Sequence, residues 1–187
     1  MQAEYERWLL AQIKTDPTVF RELYAYYFPK VYAYIAYRVR RKQDTEDLVS
    51  EIFLVVVEQI RDFEYRGEHS FAAWLFRIAY NMVCQFHRQQ NRTQYIPLED
   101  LPAMSQNDLS PDHELMKKER FALLSQLIST LSPRRQEIIT LKYFGALRNQ
   151  EIAQILGLDE RTIASHLSRG LRELHDKYVE SELFIHE

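Results

Sequence analysis

Apolar positions along this chain recur three and four residues apart over most of its length, the spacing that lines side chains up on one face of an α-helix. Phe20, Leu23, Tyr24 and Tyr27 begin one such stripe behind Asp16-Pro17, a capping acid followed by proline at the first helical position. Pro29 has no backbone N–H and is expected to break or kink this helix near Phe28. Val31, Ile35 and Val39 then continue the stripe, and "VRRKQ" (Val39 to Gln43) puts basic residues where a helix dipole favours them.

The next element, "DTEDLVSEIFLVVVEQIRDF", reads two ways locally. The run Ile52 to Val57 is β-branched enough for a buried strand. Helix is favoured by Asp44, Glu46 and Asp47 at its start, and by two four-residue series: Leu48, Ile52, Val56, Ile60 and Val49, Phe53, Val57. A helix apolar on more than one side needs cover on more than one side, here its own domain and then a partner.

Ser70 is placed to cap a further helix from Phe71 to about Gln90, with a core stripe of Phe71, Leu75, Ile78, Met82 and Phe86. Its other side shows Trp74, Arg77, Tyr80, Asn81, Gln85, His87 and Arg88, with no acid from Phe71 to Leu98. Rings that stack on bases and cations that meet phosphates suit single-stranded nucleic acid. A solvated polar face with some rings tucked inward is the other reading.

Downstream, Leu123, Leu124, Leu127, Ile128 and Leu131 form a stripe within Glu119 to Leu131. Ser132-Pro133 starts another helix, carried by Ile138, Ile139, Leu141, Tyr143 and Phe144 to a stop at Gly145. In "RNQEIAQILGLDERTIASHLSRGLREL", Ile152, Ala153 and Leu156 pack a first helix and Gly157 allows a tight turn. Leu158, Ile163, Leu167, Leu171 and Leu174 anchor a second helix, with Asp159 as its N-cap and Glu160 in its first turn. The spacing is that of a helix-turn-helix, an ordinary αα-hairpin being the alternative.

Composition agrees with this pattern. Four glycines and six prolines in 187 residues suit long helices, and alternating strand signals are nearly absent. The expected fold is all-α: two small helical domains, 1–92 and 116–187, joined by a flexible acidic linker, 93–115. That linker holds Pro97, Pro102 and Pro111 and five acids without a Lys or Arg. As a coil its ends would lie about 25–30 Å apart. The net charge of −3 hides this segregation: 116–177 carries eleven basic residues against seven acidic, so nucleic acid is not excluded. One cysteine, Cys84, excludes an internal disulfide. The histidines lie apart, no glycine-rich phosphate loop occurs, and neither catalysis nor a metal or cofactor is expected. No apolar run approaches the roughly 20 residues of a membrane helix, and the start of the chain lacks a signal-peptide layout. The expected setting is the cytoplasm.

Four segments in order, "DTEDLVSEIFLVVVE", "FAAWLFRIAYNMV", "LSPRRQEIITLKYF" and the helix-turn-helix, resemble the bacterial RNA polymerase sigma factors of the extracytoplasmic-function (ECF) class. The resemblance implies docking on core RNA polymerase by the helix of Asp47, Val49, Ser50, Phe53, Leu54 and Val57. It implies capture of a flipped non-template base and melting of the −10 element by Arg66, Ser70, Trp74, Arg77, Tyr80, Asn81, Gln85 and Arg88, with Trp74 open to a purely structural role. The recognition helix would read the −35 duplex through Arg161, Thr162, Ser165, His166, Ser168 and Arg169. An anti-sigma partner is common in this class. Two rivals stand beside this reading: a helix-turn-helix regulator that does not recruit polymerase, and a protein-interaction module derived from the same fold.

The recognition helix departs from the family pattern. Alanine (Ala164) and histidine (His166) stand where two cations are frequent, and Arg148 stands where a serine cap is common, leaving Asn149 or nothing to cap the first helix. Each lost phosphate contact flattens the salt dependence of binding by about one unit of log–log slope. The second domain by itself is therefore expected to hold duplex DNA weakly, with a shallow slope in a salt titration. A steep slope at a firmly held site would contradict this.

Overall fold

The structure, a computed structural model, describes residues 1–39, 41–90 and 123–185; the linker predicted over 93–115 lies outside these. Among the described residues the architecture is all-α. In chain order the helices are α1 (Ala3–Gln12), α2 (Phe20–Val39), α3 (Lys42–Gln59), α4 (Ser70–Gln90), α5 (123–129), α6 (Pro133–Tyr143), α7 (Asn149–Leu156) and α8 (Glu160–Ile185).

Helices α2, α3 and α4 form the first bundle around Leu23, Val31, Ile35, Ile52, Leu75, Phe76 and Ala79. Helix α1, which the periodicity did not single out, closes one side with Leu9, Leu10 and Ile13. Its buried Glu6 accepts a hydrogen bond from the Tyr27 hydroxyl. Asp16 caps as predicted, taking the Thr18 N–H at 2.9 Å, but the turn it starts is 3-10 before α2 begins at Phe20. Of the break or kink expected at Pro29, the break does not occur: α2 runs through it. Proline removes one intrahelical bond, while Tyr27, Val31, Tyr34 and Ile35 on both sides of it are fully or nearly fully buried. Packing of that stripe outweighs the local loss.

The second bundle sets α8 across α6 and α7. A Cβ at Gly170 would lie 2.8 Å from Ile139 Cδ1, so the absent side chain leaves room for that isoleucine where α6 and α8 cross. The helix stop after α6 differs from the prediction. Gly145 does not take the left-handed conformation; Ala146 does, with φ 52°. Gly145 is there for space, since a Cβ would meet Leu141 O at 2.7 Å and Leu147 Cγ at 3.0 Å.

The main core runs through both bundles, beside a smaller cluster of Tyr37, Ile128, Leu131 and Ile139. Ile138, Leu141, Leu147, Ile152 and Ile163 are buried in continuity with the first bundle. Helix α7 packs on α4 and α6 on α2, and the rings of Tyr37 and Phe144 stand 5.0 Å apart. The sequence predicts two separate small domains and is silent on this contact.

Opposite effects are expected at two neighbouring positions. Ala146→Gly removes a left-handed alanine and should raise stability by about 1 kcal/mol. Gly145→Ala should lower it, by about 1–3 kcal/mol. Urea unfolding of both variants checks the pair.

Candidate nucleic-acid interface

Helix α4 has no acidic residue and two distinct faces. Ala72, Leu75, Phe76, Ala79 and Val83 are buried. Arg77, Asn81, Gln85 and Arg88, at steps of four, four and three, are exposed on the opposite side. These four predicted residues therefore form one outward stripe that can offer guanidinium and amide groups together.

The other predicted members of this group fall elsewhere. Trp74 is half-buried, its ring 5.1 Å from Phe63 and 5.6 Å from Phe71, and so supports the loop before α4. Tyr80 is half-buried too. Its phenol is held above its ordinary pKa by burial, by its hydrogen bond with Cys84, and by the charge of Glu137 on α6. Arg66 is exposed, 3.2 Å from Glu64. Ser70 does not cap its own helix as predicted. Its hydroxyl accepts the Arg66 N–H at 3.2 Å, pinning the loop, while Ala73 N–H reaches the carbonyl of His69.

On α3 the exposed residues of the predicted docking set are Asp47, Ser50, Leu54 and Val57, again one stripe, with Leu54 63 % and Val57 50 % exposed. Val49 and Phe53 are corrections: both are buried, and Phe53 packs on Tyr24 with ring centroids 4.7 Å apart. A helix of 3.6 residues per turn cannot turn these two outward together with Leu54 and Val57 while Ile52 and Val56 stay in the core. A cleft of about 430 Å³ between α3 and α4, lined by Asp47, Glu51, Met82, Gln85 and Phe86 among others, separates this stripe from the α4 one.

The helix-turn-helix is α7, Gly157 and α8. Gly157 adopts φ 65°, ψ 38°, the left-handed C-terminal cap that glycine takes without strain, and Leu158 N–H bonds back to Ala153 O at 3.0 Å. Asp159 is the N-cap predicted, accepting the Thr162 N–H at 2.9 Å and its hydroxyl at 2.6 Å. Those two bonds hold its carboxylate below the usual range. Neither Asn149 nor an open end starts α7. The Glu151 carboxylate accepts the Arg148 N–H at 2.6 Å and also pairs with its guanidinium, one half of a capping box with arginine in the serine's place.

Around α8, Arg161, Ser165, Ser168 and Arg169 are exposed. Thr162 and His166 are half-buried, because they lie about 100° round the helix from that face, towards Ile163 and Gly170. The Thr162 hydroxyl is moreover engaged by Asp159. Arg172, not singled out from the sequence, continues the outward face one turn beyond Ser168; counting eleven residues on from Arg161 would have found it. No acid stands on the stripe from Arg161 to Arg172.

Residues 23–93 match the family model of sigma-70 region 2, and residues 121–174 that of sigma-70 region 4. The chain is 32 % identical over 159 residues to the ECF RNA polymerase sigma factor BldN of Streptomyces coelicolor, covering 85 % of this chain and 60 % of that one. It is 24 % identical over 161 residues to the RNA polymerase sigma factor YlaC of Bacillus subtilis, covering 86 % and 92 %. Two solved structures share the fold. One is the sigma factor RpoE with the anti-sigma factor NepR from Bartonella quintana, at 21 % identity and TM-score 0.65 over 84 % of this chain and 94 % of that one. The other is CnrH with the cytosolic domain of CnrY, at 20 % and 0.65 over 93 % and 97 %.

The cap gives a test by acid. A carboxylate with a lowered folded pKa stabilises above its unfolded value, about 3.9, and loses that contribution as pH falls through the folded value. Asp159→Ala should lower the melting temperature at neutral pH, and Asp159→Asn, a good neutral cap, should largely keep it. Below about pH 4 the wild type should approach the alanine variant in circular-dichroism melts. An unchanged gap between them across that range would exclude the cap as the cause.

Proposed function

This chain belongs to the sigma-70 family as an RNA polymerase sigma factor of the ECF class, and from that membership we propose that it binds core RNA polymerase and directs promoter recognition, melting and initiation. Residues 1–92 act as the polymerase-docking and −10 domain, and 116–187 as the −35 domain. The single observation that carries this division is the acid-free outward stripe of α4, present in the same chain as a capped helix-turn-helix.

In this reading the α3 stripe of Asp47, Ser50, Leu54 and Val57 meets polymerase, because two large exposed apolar side chains gain most from a partner. Arg77, Asn81, Gln85 and Arg88, with Arg66 at the loop, hold the melted non-template strand. A flipped base costs a few kcal/mol of lost stacking, which the loop beside Trp74 must offset. Arg161, Ser165, Ser168, Arg169 and Arg172 face the major groove of the −35 duplex. The role is one of binding, with no chemistry of its own, and its setting is the cytoplasm. RpoE was solved with an anti-sigma factor, and we extend that class of partner to this chain.

Transcription of host genomic DNA by core polymerase plus this protein, with RNA 5′ ends sequenced, should give starts downstream of one shared pair of motifs. Polymerase binding without such starts favours the interaction module, and DNA binding without polymerase binding favours the ordinary regulator. Leu54→Glu and Val57→Glu should each weaken polymerase binding at least about tenfold, with stability changed by no more than about 0.5 kcal/mol as befits exposed sites. Arg77→Gln and Arg88→Gln should each reduce the salt slope of promoter-complex formation by about one unit.

A further inference from the structure

Helix α1 carries a buried acid at a core position. Glu6, Leu9, Leu10 and Ile13 are all buried, at the three- and four-residue spacing of one helical face. An aliphatic side chain would fill the first of these places at lower cost, because a buried carboxylate needs partners. Glu6 has one: it accepts the hydroxyl of Tyr27, itself buried on α2. On one flank of α1 the Tyr5 hydroxyl donates to Glu22 of α2. On the other flank the Arg7 guanidinium stands 6.0 Å from the ring centre of Tyr65, in the loop that precedes α4.

Glu6 leads to the same loop by another route. Its partner Tyr27 sets its ring edge against Phe71 at 5.2 Å, and Phe71 meets Phe63 at 5.5 Å. Phe63 stands before the loop and Phe71 after it, so these rings tie its two ends together. Tyr65 is half-buried against the same core. The Tyr27 phenol is held well above its ordinary pKa by burial, then by its bond to Glu6 and that group's charge, and by the nearby Tyr26 and Tyr65. Tyr65 therefore lies beside Tyr27 as well as under Arg7.

The loop depends on such support. Gly67 has φ 118° and His69 φ 67°, and the second is a conformation that side chains rarely adopt. The Ser70 N–H reaches the Gly67 carbonyl at 3.1 Å, and the Ser70 hydroxyl takes the Arg66 N–H at 3.2 Å. Both bonds fix the half next to α4. Tyr65, one residue ahead of them, is where Arg7 and Tyr27 meet the loop.

The matched sigma-70 region 2 begins at residue 23, after α1. We propose that α1 is a brace for the loop 64–69, with Arg7 acting on Tyr65 and Glu6 acting on Tyr27 as positioning residues for base capture and −10 melting. The positioning rests on the sigma-factor reading above; the brace does not. An exposed cation–ring contact shifts an equilibrium about two- to fivefold. That is small for folding but enough to set how often a loop holds one conformation.

Hydrogen exchange of the full chain tests the brace without DNA or polymerase. Arg7→Ala should speed exchange of the Arg66 and Ser70 amides about two- to fivefold, with α8 unchanged. Tyr65→Leu should do the same, and adding Arg7→Ala to it should change nothing further, as for two ends of one contact. Tyr65→Phe keeps the ring and Arg7→Lys the charge, and both should stay near wild type. Glu6→Gln keeps an acceptor for Tyr27 and should also stay near wild type, whereas Glu6→Leu should speed loop exchange. Arg7 is exposed, so its variants should keep wild-type helical circular dichroism.

Promoter opening with core polymerase is the other readout, followed by a fluorescent base analogue in the non-template −10 strand of a promoter mapped by its RNA 5′ ends. Arg7→Ala and Tyr65→Leu should slow opening by a similar factor and leave polymerase affinity unchanged. Loop exchange at the wild-type rate in Arg7→Ala, or raised equally in α8, would overturn the brace. Faster loop exchange with opening at the wild-type rate would overturn the positioning role, and so would a fall in polymerase affinity that accounts for the slower opening. Exchange that follows the prediction in a protein that opens no promoter would leave the brace standing and sink the sigma-factor reading instead.

Discussion

Helix α4 has to satisfy two surroundings at once, and the rest of the structure is arranged around that division. Its apolar half lies against α2, α3 and α7 and supplies some of the most deeply buried side chains of the core. Its polar half carries no acid over 21 residues and stays in water. A hydrophobic face about 100° wide holds such a helix in one rotational setting. That setting alone decides that Arg77, Asn81, Gln85 and Arg88 point outward together. The site needs no device of its own beyond the core that orients it, and so its precision is inherited from packing.

The contact between the halves has a different character. Inter-domain surfaces within a chain resemble transient interfaces and are more polar than a core. Here Ile138, Leu141 and Leu147 supply an apolar seam, but Glu137, Tyr34 and Arg38 lie buried within it. Removing charges from water costs several kcal/mol per ion, which their mutual attraction roughly returns. Apolar residues of the same volume often hold as firmly or more so, whereas removing one partner leaves the other charge buried and uncompensated.

Much of this was legible in the sequence wherever the determinant was local. Asp159 as N-cap and Gly157 as the turn follow from spacing within one or two turns, and both hold in the structure; of the stripe read along α4, Phe71 and Leu75 are buried, whereas Ile78, Met82 and Phe86 are only half-buried and Ala72, Phe76, Ala79 and Val83 complete the core face. The resemblance across four segments led to the family. Most of what was illegible depended on partners far along the chain, and a smaller part on local geometry that composition does not announce. Pro29 reads as a break or a kink because the cost is local, whereas the packing that carries the helix through it comes from other helices. Val49 and Phe53 read as surface because α3 is apolar on more than one side, and only its neighbours decide which stripe is left over. Thr162 and His166 look available in a linear motif and are turned towards the core by helical phase. Glu137, in "PRRQEIITLKY", looks like any solvated helical acid; nothing near it in sequence announces Tyr34. Arg148 as a cap required seeing that Glu151 could do the serine's work from the third position.

The outward face of α8 also bears on how this protein can change over generations. Arg161, Ser165, Ser168, Arg169 and Arg172 contribute nothing to the core, and substitutions at such exposed positions leave folding almost untouched. The residues that hold the helix in place, Asp159, Ile163 and Gly170, are a separate set. On the −35 reading proposed for that face, sequence preference can drift by single substitutions with little selective penalty from instability. Duplicated copies of such a chain could part ways in the sites they read while keeping the same scaffold, and the divergence would be written in five positions of one helix.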